Sequence, residues 1–120
     1  MIKMTMFLKR HPKLTHEEFV AHHIQKHGPL FKSIPEAKEH VLRYIQTHPA
    51  REKTSILTVN DYDGTAEIWF DSLAGLEAVL TSTTYKAKVF PDEVTFLDHG
   101  HTLITIGEQV QIIGDYVEGV

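Results

Sequence analysis

The apolar positions of this chain change period several times, and each change marks an element. From Ile2 to Leu8 the residues alternate, with Ile2, Met4, Met6 and Leu8 on one side and Lys3, Thr5 and Phe7 on the other, which predicts a first strand. After a connection containing Pro12, Thr15 and Glu18 have the spacing of a capping box. The helix they open is expected to run to about His27, where Gly28-Pro29 should stop it. With Phe19 at zero and ~100° per residue, His23 falls at ~40° and His27 at ~80°, beside Val20 and Ile24. His23 and His27 therefore share the apolar arc, whereas His22, Gln25 and Lys26 read as a solvated face.

Residues 30–39 carry no clear period. Residues 40–48 alternate again and predict a second strand, with Leu42, Tyr44, Gln46 and His48 on one face and Val41, Arg43, Ile45 and Thr47 on the other, ended by Pro49. Residues 50–63 form the longest irregular stretch. Asp63-Gly64 is a turn signal before a third strand over 65–70, in which Ala66, Ile68 and Phe70 face one way and Glu67 and Trp69 the other. Asp71-Ser72 supplies an N-cap for a second helix whose stripe is Leu73, Leu76, Val79 and Leu80. A short helix is expected at 85–89, then a last strand over 103–113 interrupted at Gly107.

The order β-α-β-β-α-β over residues 1–120 predicts one α+β domain, the ferredoxin-like split βαβ arrangement with an antiparallel sheet and both helices on one face. Strands two and three carry large apolar residues on both faces, so the face without helices needs a cover. The expected cover is a second copy of the chain, giving a homodimer by sheet-to-sheet packing.

Composition narrows the function classes. The chain has 120 residues, a formal charge of -4 and no cysteine. Without a run of Lys or Arg it offers no electrostatic footprint for nucleic acid or an anionic membrane. Disulfides, thiolate metal sites and cysteine nucleophiles are excluded. The first ten residues lack a signal-peptide pattern and no segment is long enough to span a bilayer, so a soluble, cytoplasmic protein is expected. No P-loop, dinucleotide fingerprint or nucleophile elbow appears.

Chemistry-bearing residues remain. His27 at a helix end is suited to proton transfer, because a helix C-terminus favours the imidazolium while burial opposes it. Tyr44, Gln46 and His48 stand in a row about 7 Å apart, and a phenol beside an imidazole can polarise a carbonyl and move a proton. Glu67 beside Trp69 forms a possible acid next to an apolar wall, with cross-strand pairing as the plainer account. Asp98 is a candidate to orient a histidine, or else a turn cap. His23 and His27, four apart, can in principle meet one metal ion, as can His99 and His101, but neither pair has a nameable third ligand and no metal is expected.

Four stretches, in order, resemble the EthD domain family of the dimeric α+β barrel group. They are Leu8-Lys9-Arg10 with Thr15 to Pro29; the Tyr44, Gln46, His48 row; the run Asp63 to Ser72; and Asp92-Glu93 with Phe96 and Asp98. His23 stands where relatives commonly carry tryptophan. The resemblance implies a ferredoxin-like dimer with a pocket between sheet and helices in each subunit. It also implies chemistry of the kind in its fungal dehydratases and cyclases of aromatic polyketides, alongside bacterial proteins associated with ether degradation. The expectation is a small cofactor-independent dehydratase, cyclase or isomerase acting on a small cyclic or aromatic carbonyl compound. In it, His27 is base or acid, His48 or His23 its proton partner, Tyr44 a hydrogen-bond donor, Asp98 the orienting acid, and His23, Glu67 and Trp69 substrate contacts. The alternative is a non-catalytic accessory protein that holds a hydrophobic metabolite in an oxygenase pathway; a haem oxygenase lacks more than a histidine to support it.

Overall fold

The alternation at the start of the chain becomes β1 (Ile2–Leu8), a central strand with Met4 and Leu8 buried against the helix layer. In the computed structural model, which describes residues 1–114, β1 pairs with β3 (Gly64–Phe70) and β4 (Leu103–Gly107), and β3 pairs with β2 (Val41–Thr47). Every pairing is antiparallel and the order is β2-β3-β1-β4. This is the expected ferredoxin-like α+β fold. Among the described residues no helix is long and apolar enough to cross a membrane.

One face of the sheet carries the helices. The capping box forms as expected: the Thr15 hydroxyl accepts from the Glu18 amide, and the Glu18 carboxylate accepts from the Thr15 amide. It starts α1 (His16–His22), followed by a π-helical turn over His23–His27. Here the structure departs from expectation, because Gly28-Pro29 does not stop the helix. Gly28 is helical (φ -57°, ψ -53°) and its amide donates to the His23 carbonyl five residues back. A wider turn of this kind relieves the clash that a proline ring makes with the carbonyl four residues before it. The backbone continues as α2 (Gly28–Ser33) and, after Ile34, as α3 (Pro35–His40), which accounts for residues 30–39. In the second half α4 (Leu73–Leu80), capped by Ser72, leads to another π turn (Tyr85–Val89) and α5 (Phe90–Phe96). Phe31, Ile34, Leu76, Val79 and Val89 close over Met4, Ile68 and Phe70, while Phe19 and Phe96 close over Leu8 and Ala66.

Two strand expectations also need correction. In β2 the register shifts between Val41, opposite Phe70, and Arg43, opposite Trp69, so Leu42 is an extra, bulged residue and is exposed. Val41 consequently packs toward the core, not on the face of Arg43 and Ile45. β4 ends at Gly107, which pairs with Lys3 near the start of β1. Val110, Ile112 and Ile113 are exposed and belong to no strand.

Residues 48–63 are irregular and are tied down at their end. Asp63 is buried, its amide donates to the Leu8 carbonyl, and its carboxylate accepts from the Arg10 amide, the Arg10 guanidinium and the His16 ring at 2.8–3.0 Å. Those bonds outweigh the effect of burial and hold the Asp63 carboxyl below the usual range.

Candidate functional site

Between the sheet and the helices lies a cavity of about 150 Å³. Met4, Met6, Ala66 and Ile68 of the sheet form its floor, and Phe31 and Phe96 are part of its walls. His23, His27, Tyr44, Tyr85, Glu93 and His99 bring the polar groups.

The first π turn places two of these. On a regular α-helix, residues five apart are separated by about 140°. An i→i+5 turn holds more residues, so residues five apart come into line, and such turns are frequent at functional sites. His22 and His27 accordingly both reach Asp92 on α5: His22 Nε2 lies 2.9 and 3.0 Å from its two oxygens and His27 Nδ1 3.0 Å from Oδ2. Lys26 adds its ammonium at 3.4 Å. The expected solvated role of His22 is thus corrected; its ring stacks on Phe96 at 4.5 Å. Burial raises the Asp92 carboxyl, but the bonds from His22 and His27 outweigh it and hold it below its ordinary value. His27 is pulled down by burial, against the opposing pull of Asp92, and is neutral at neutral pH. Because the helix continues past Gly28, the C-terminal dipole expected to act on His27 is absent there. With Nδ1 donating to Asp92, Nε2 is the nitrogen left with a lone pair.

His23 is buried, lies 6.2 Å from the His27 ring, and shares a 2.9 Å hydrogen bond between its Nδ1 and Nε2 of His48. Burial first, then the nearby His48, His27 and His22, lower His23 to about 3. Burial, with His16, lowers His48 as well. His48 itself lines a separate open groove with Phe7, Thr47 and Tyr62. Gln46 ties the wall together, since its amide donates to the His23 carbonyl at 2.8 Å and to Tyr44 Oη at 2.9 Å. Tyr44 therefore keeps its own proton for another partner, and burial, with the Glu93 charge, raises it to about 12. A Cβ at Gly28 would lie 2.9 Å from Gln46 Nε2, so a side chain there would displace the Gln46 amide.

The remaining candidates lie elsewhere. Asp98 does not enter the cavity; its carboxylate accepts from the Gly100 amide and bonds His101 at 2.7 Å, capping the 3-10 turn His99–His101. The carboxylate that orients a cavity histidine is Asp92. Glu67 and Trp69 are on the opposite face of the sheet, where Glu67 pairs with Lys3 and Trp69 lies beneath Lys3 and Arg43, its Nε1 donating to Gln109. Tyr85 and Glu93 were not among the expected site residues. Tyr85 Oη donates to Glu93 Oε2, and His99 Nε2 sits 3.2 Å from Oε1. Among the described residues no three histidine or carboxylate groups are arranged to hold a metal ion.

Fold and cavity define a ferredoxin-like α+β protein with a buried histidine–carboxylate site. The EthD domain model matches residues 11–100, and the chain belongs to the EthD family. It is 23% identical over 124 residues to the dehydratase aurZ of Gibberella zeae, covering 96% of this chain and 81% of that one. Its fold is similar to that of a Bacillus halodurans protein of the EthD family, with TM-score 0.68, 21% identity and coverage of 92% and 99%. A dimeric ferredoxin-like protein of unknown function from Thermobifida fusca is also similar, with TM-score 0.63, 16% identity and 90% coverage of each chain.

Proposed function

We propose that the protein is a small cofactor-independent enzyme that performs general acid/base chemistry on a cyclic or aromatic, polyketide-like carbonyl compound, as a dehydratase, cyclase or isomerase does. The observation that carries this reading is a buried histidine, His27, held by the buried carboxylate of Asp92 in a mostly apolar cavity. His27 takes a proton from the carbon next to the carbonyl. Tyr44, kept protonated, donates a hydrogen bond to the developing enolate. The 2.9 Å hydrogen bond between His23 and His48 joins the cavity wall to the open groove. The cavity volume matches that of engineered apolar cavities that hold one benzene ring, so the reacting part of the substrate is a single ring. The test is a panel of cyclic β-hydroxy and β-dicarbonyl compounds followed by mass spectrometry. His27→Gln, which retains a donor for Asp92, should abolish turnover in a folded protein; equal turnover overturns the assignment. Tight binding with no turnover of any compound supports the accessory-protein reading instead.

The same reading includes a homodimer. Phe7, Ile45, Trp69 and Leu103 lie on the sheet face that carries no helices, and Leu103 is 56% exposed. The similarity to a dimeric ferredoxin-like protein supports a second copy as the cover. Sedimentation equilibrium at micromolar concentration should give a dimer, and Ile45→Asp should give a monomer; a wild-type monomer refutes it.

A further inference from the structure

The cavity contains a second histidine–carboxylate pair that the reaction outlined above leaves unused. Successive residues on a helix point ~100° apart, so Asp92 and Glu93 on α5 serve different partners. Asp92 holds His27, and Glu93 holds His99 while accepting from Tyr85. His27, His99, Tyr85 and Glu93 all line the one cavity.

The two histidines differ in surroundings. The His27 side chain is 11% exposed and the His99 side chain 42%. His99 stands with Thr102 and exposed Ile104, where the cavity meets solvent, and its ring stacks on Phe90 at 5.6 Å. A buried carboxylate such as Glu93 needs partners whatever its role, and Tyr85 alone would satisfy one oxygen. The second oxygen fixes a solvent-reachable imidazole at the rim of a cavity that already has a buried base. An elimination needs that combination: one group to accept a proton from carbon and a separate one to give a proton to the departing oxygen.

We infer that His99, positioned by Glu93, is the acid that protonates the leaving hydroxyl in the loss of water from a cyclic β-hydroxy carbonyl compound. This rests on the reading of His27 as the base. His27 Nε2 takes the proton on the carbon α to the carbonyl, and the C–H electron pair becomes the enolate held by Tyr44. That pair then forms the double bond between the α and β carbons as the β carbon–oxygen bond breaks with its electrons on oxygen. His99 gives this oxygen a proton and water leaves. The net change in the protein is one proton moved from His99 to His27. His99 recovers its proton from solvent, and His27 releases its own to solvent as the product leaves. No oxidant or reductant is involved.

The test uses 3-hydroxycyclohexanone in D2O and reads two signals, deuterium entry at the α carbon and formation of cyclohexenone. The wild type should give both and His27→Gln neither. His99→Gln should retain deuterium entry but lose cyclohexenone formation by about 10²-fold or more, the usual contribution of a positioned acid. With 3-chlorocyclohexanone, whose chloride leaves without a proton, His99→Gln should eliminate at nearly the wild-type rate, which also shows that the variant is folded. Loss of both signals in His99→Gln, or elimination of water at the wild-type rate, overturns the role of His99. A wild type that exchanges deuterium without eliminating water overturns it while leaving the base in place. A wild type that does neither overturns both.

Discussion

Replacing His23 by Phe should make the core less sensitive to acid, at little expense in stability at neutral pH. His23 is 1% exposed, and burial with its neighbouring histidines lowers it from 6.5 to about 3. An unfolded chain accepts a proton there below 6.5, while the folded chain refuses it until about pH 3. The stability tied to this group is therefore fully present above 6.5 and is lost as pH falls through that window. One proton difference costs about 1.4 kcal/mol per pH unit, so at pH 5 the loss is about 2 kcal/mol. His27 and His48, also lowered chiefly by burial, act in the same direction. His40, raised chiefly by its bond to Asp71, acts in the opposite one, its contribution being present below 6.5 and lost as pH rises through its folded value. The Phe ring replaces an imidazole already packed between Phe19 (5.5 Å) and Phe96 (5.8 Å), and forfeits the bond to His48. That bond is worth about 0.5–1.5 kcal/mol. The variant should thus be less stable than wild type by about 1 kcal/mol at pH 7.5 and more stable by about 1 kcal/mol at pH 5. Urea unfolding followed by circular dichroism in half-unit pH steps measures this directly. Parallel stability curves for the two proteins would refute the account of His23 as a histidine buried neutral.

Three further outcomes follow from the same geometry. Asp92→Asn should lower turnover by about 10²–10⁴-fold, because the negative charge is lost and one of the two acceptor oxygens facing His22 and His27 becomes a donor, so the His27 tautomer is no longer fixed; steady-state kinetics on any accepted substrate checks it. Gly28→Ala should push Gln46 away from Tyr44 and cost about 1–2 kcal/mol in the urea midpoint, since the added Cβ would sit 2.9 Å from its amide nitrogen. Asp63→Ala should cost about 2–3 kcal/mol, read as a lowered Tm, because it leaves the Arg10 amide without its acceptor and frees the end of the 48–63 segment.

The strands and their order along the chain were legible because period-two alternation and turn signals are local. Ile2–Leu8 and residues 65–70 have the faces that alternation predicts, and the Thr15–Glu18 box starts its helix where the spacing says. The bulge at Leu42 was not legible, since alternation gives no sign of an inserted residue until the partner strand is known. The end of β4 depended on where β1 begins, a property of another strand. Within the site, His23, His27 and Tyr44 were found from shared faces. His22 was assigned to solvent by arithmetic that assumes a uniform ~100° step, and the π turn breaks that assumption. Asp98 and Asp92 are both acids near Phe96, and only the three-dimensional path of α5 distinguishes the one that meets a cavity histidine from the one that caps a turn.

The two prolines give this a common origin. Pro29 follows the π turn His23–His27 by two residues, and Pro91 follows the π turn Tyr85–Val89 by two. In each case the amide just before the proline, of Gly28 or of Phe90, donates five residues back, to His23 or to Tyr85. A proline within a helix withdraws one donor and crowds one carbonyl, and a local widening accommodates both without ending the helix. Four of the cavity's polar groups lie at these two places: His23 and His27 in the first widened turn, Tyr85 in the second, and Glu93 just beyond Pro91, next to the Asp92 that holds His27. The residues that punctuate the sequence as stops are thus the ones that rotate its histidines and carboxylates toward one another. In this fold an X-Pro step inside an amphipathic run is better read as a change of helical register than as an end, and an angle carried across the widened turn, as for His22, should be withdrawn.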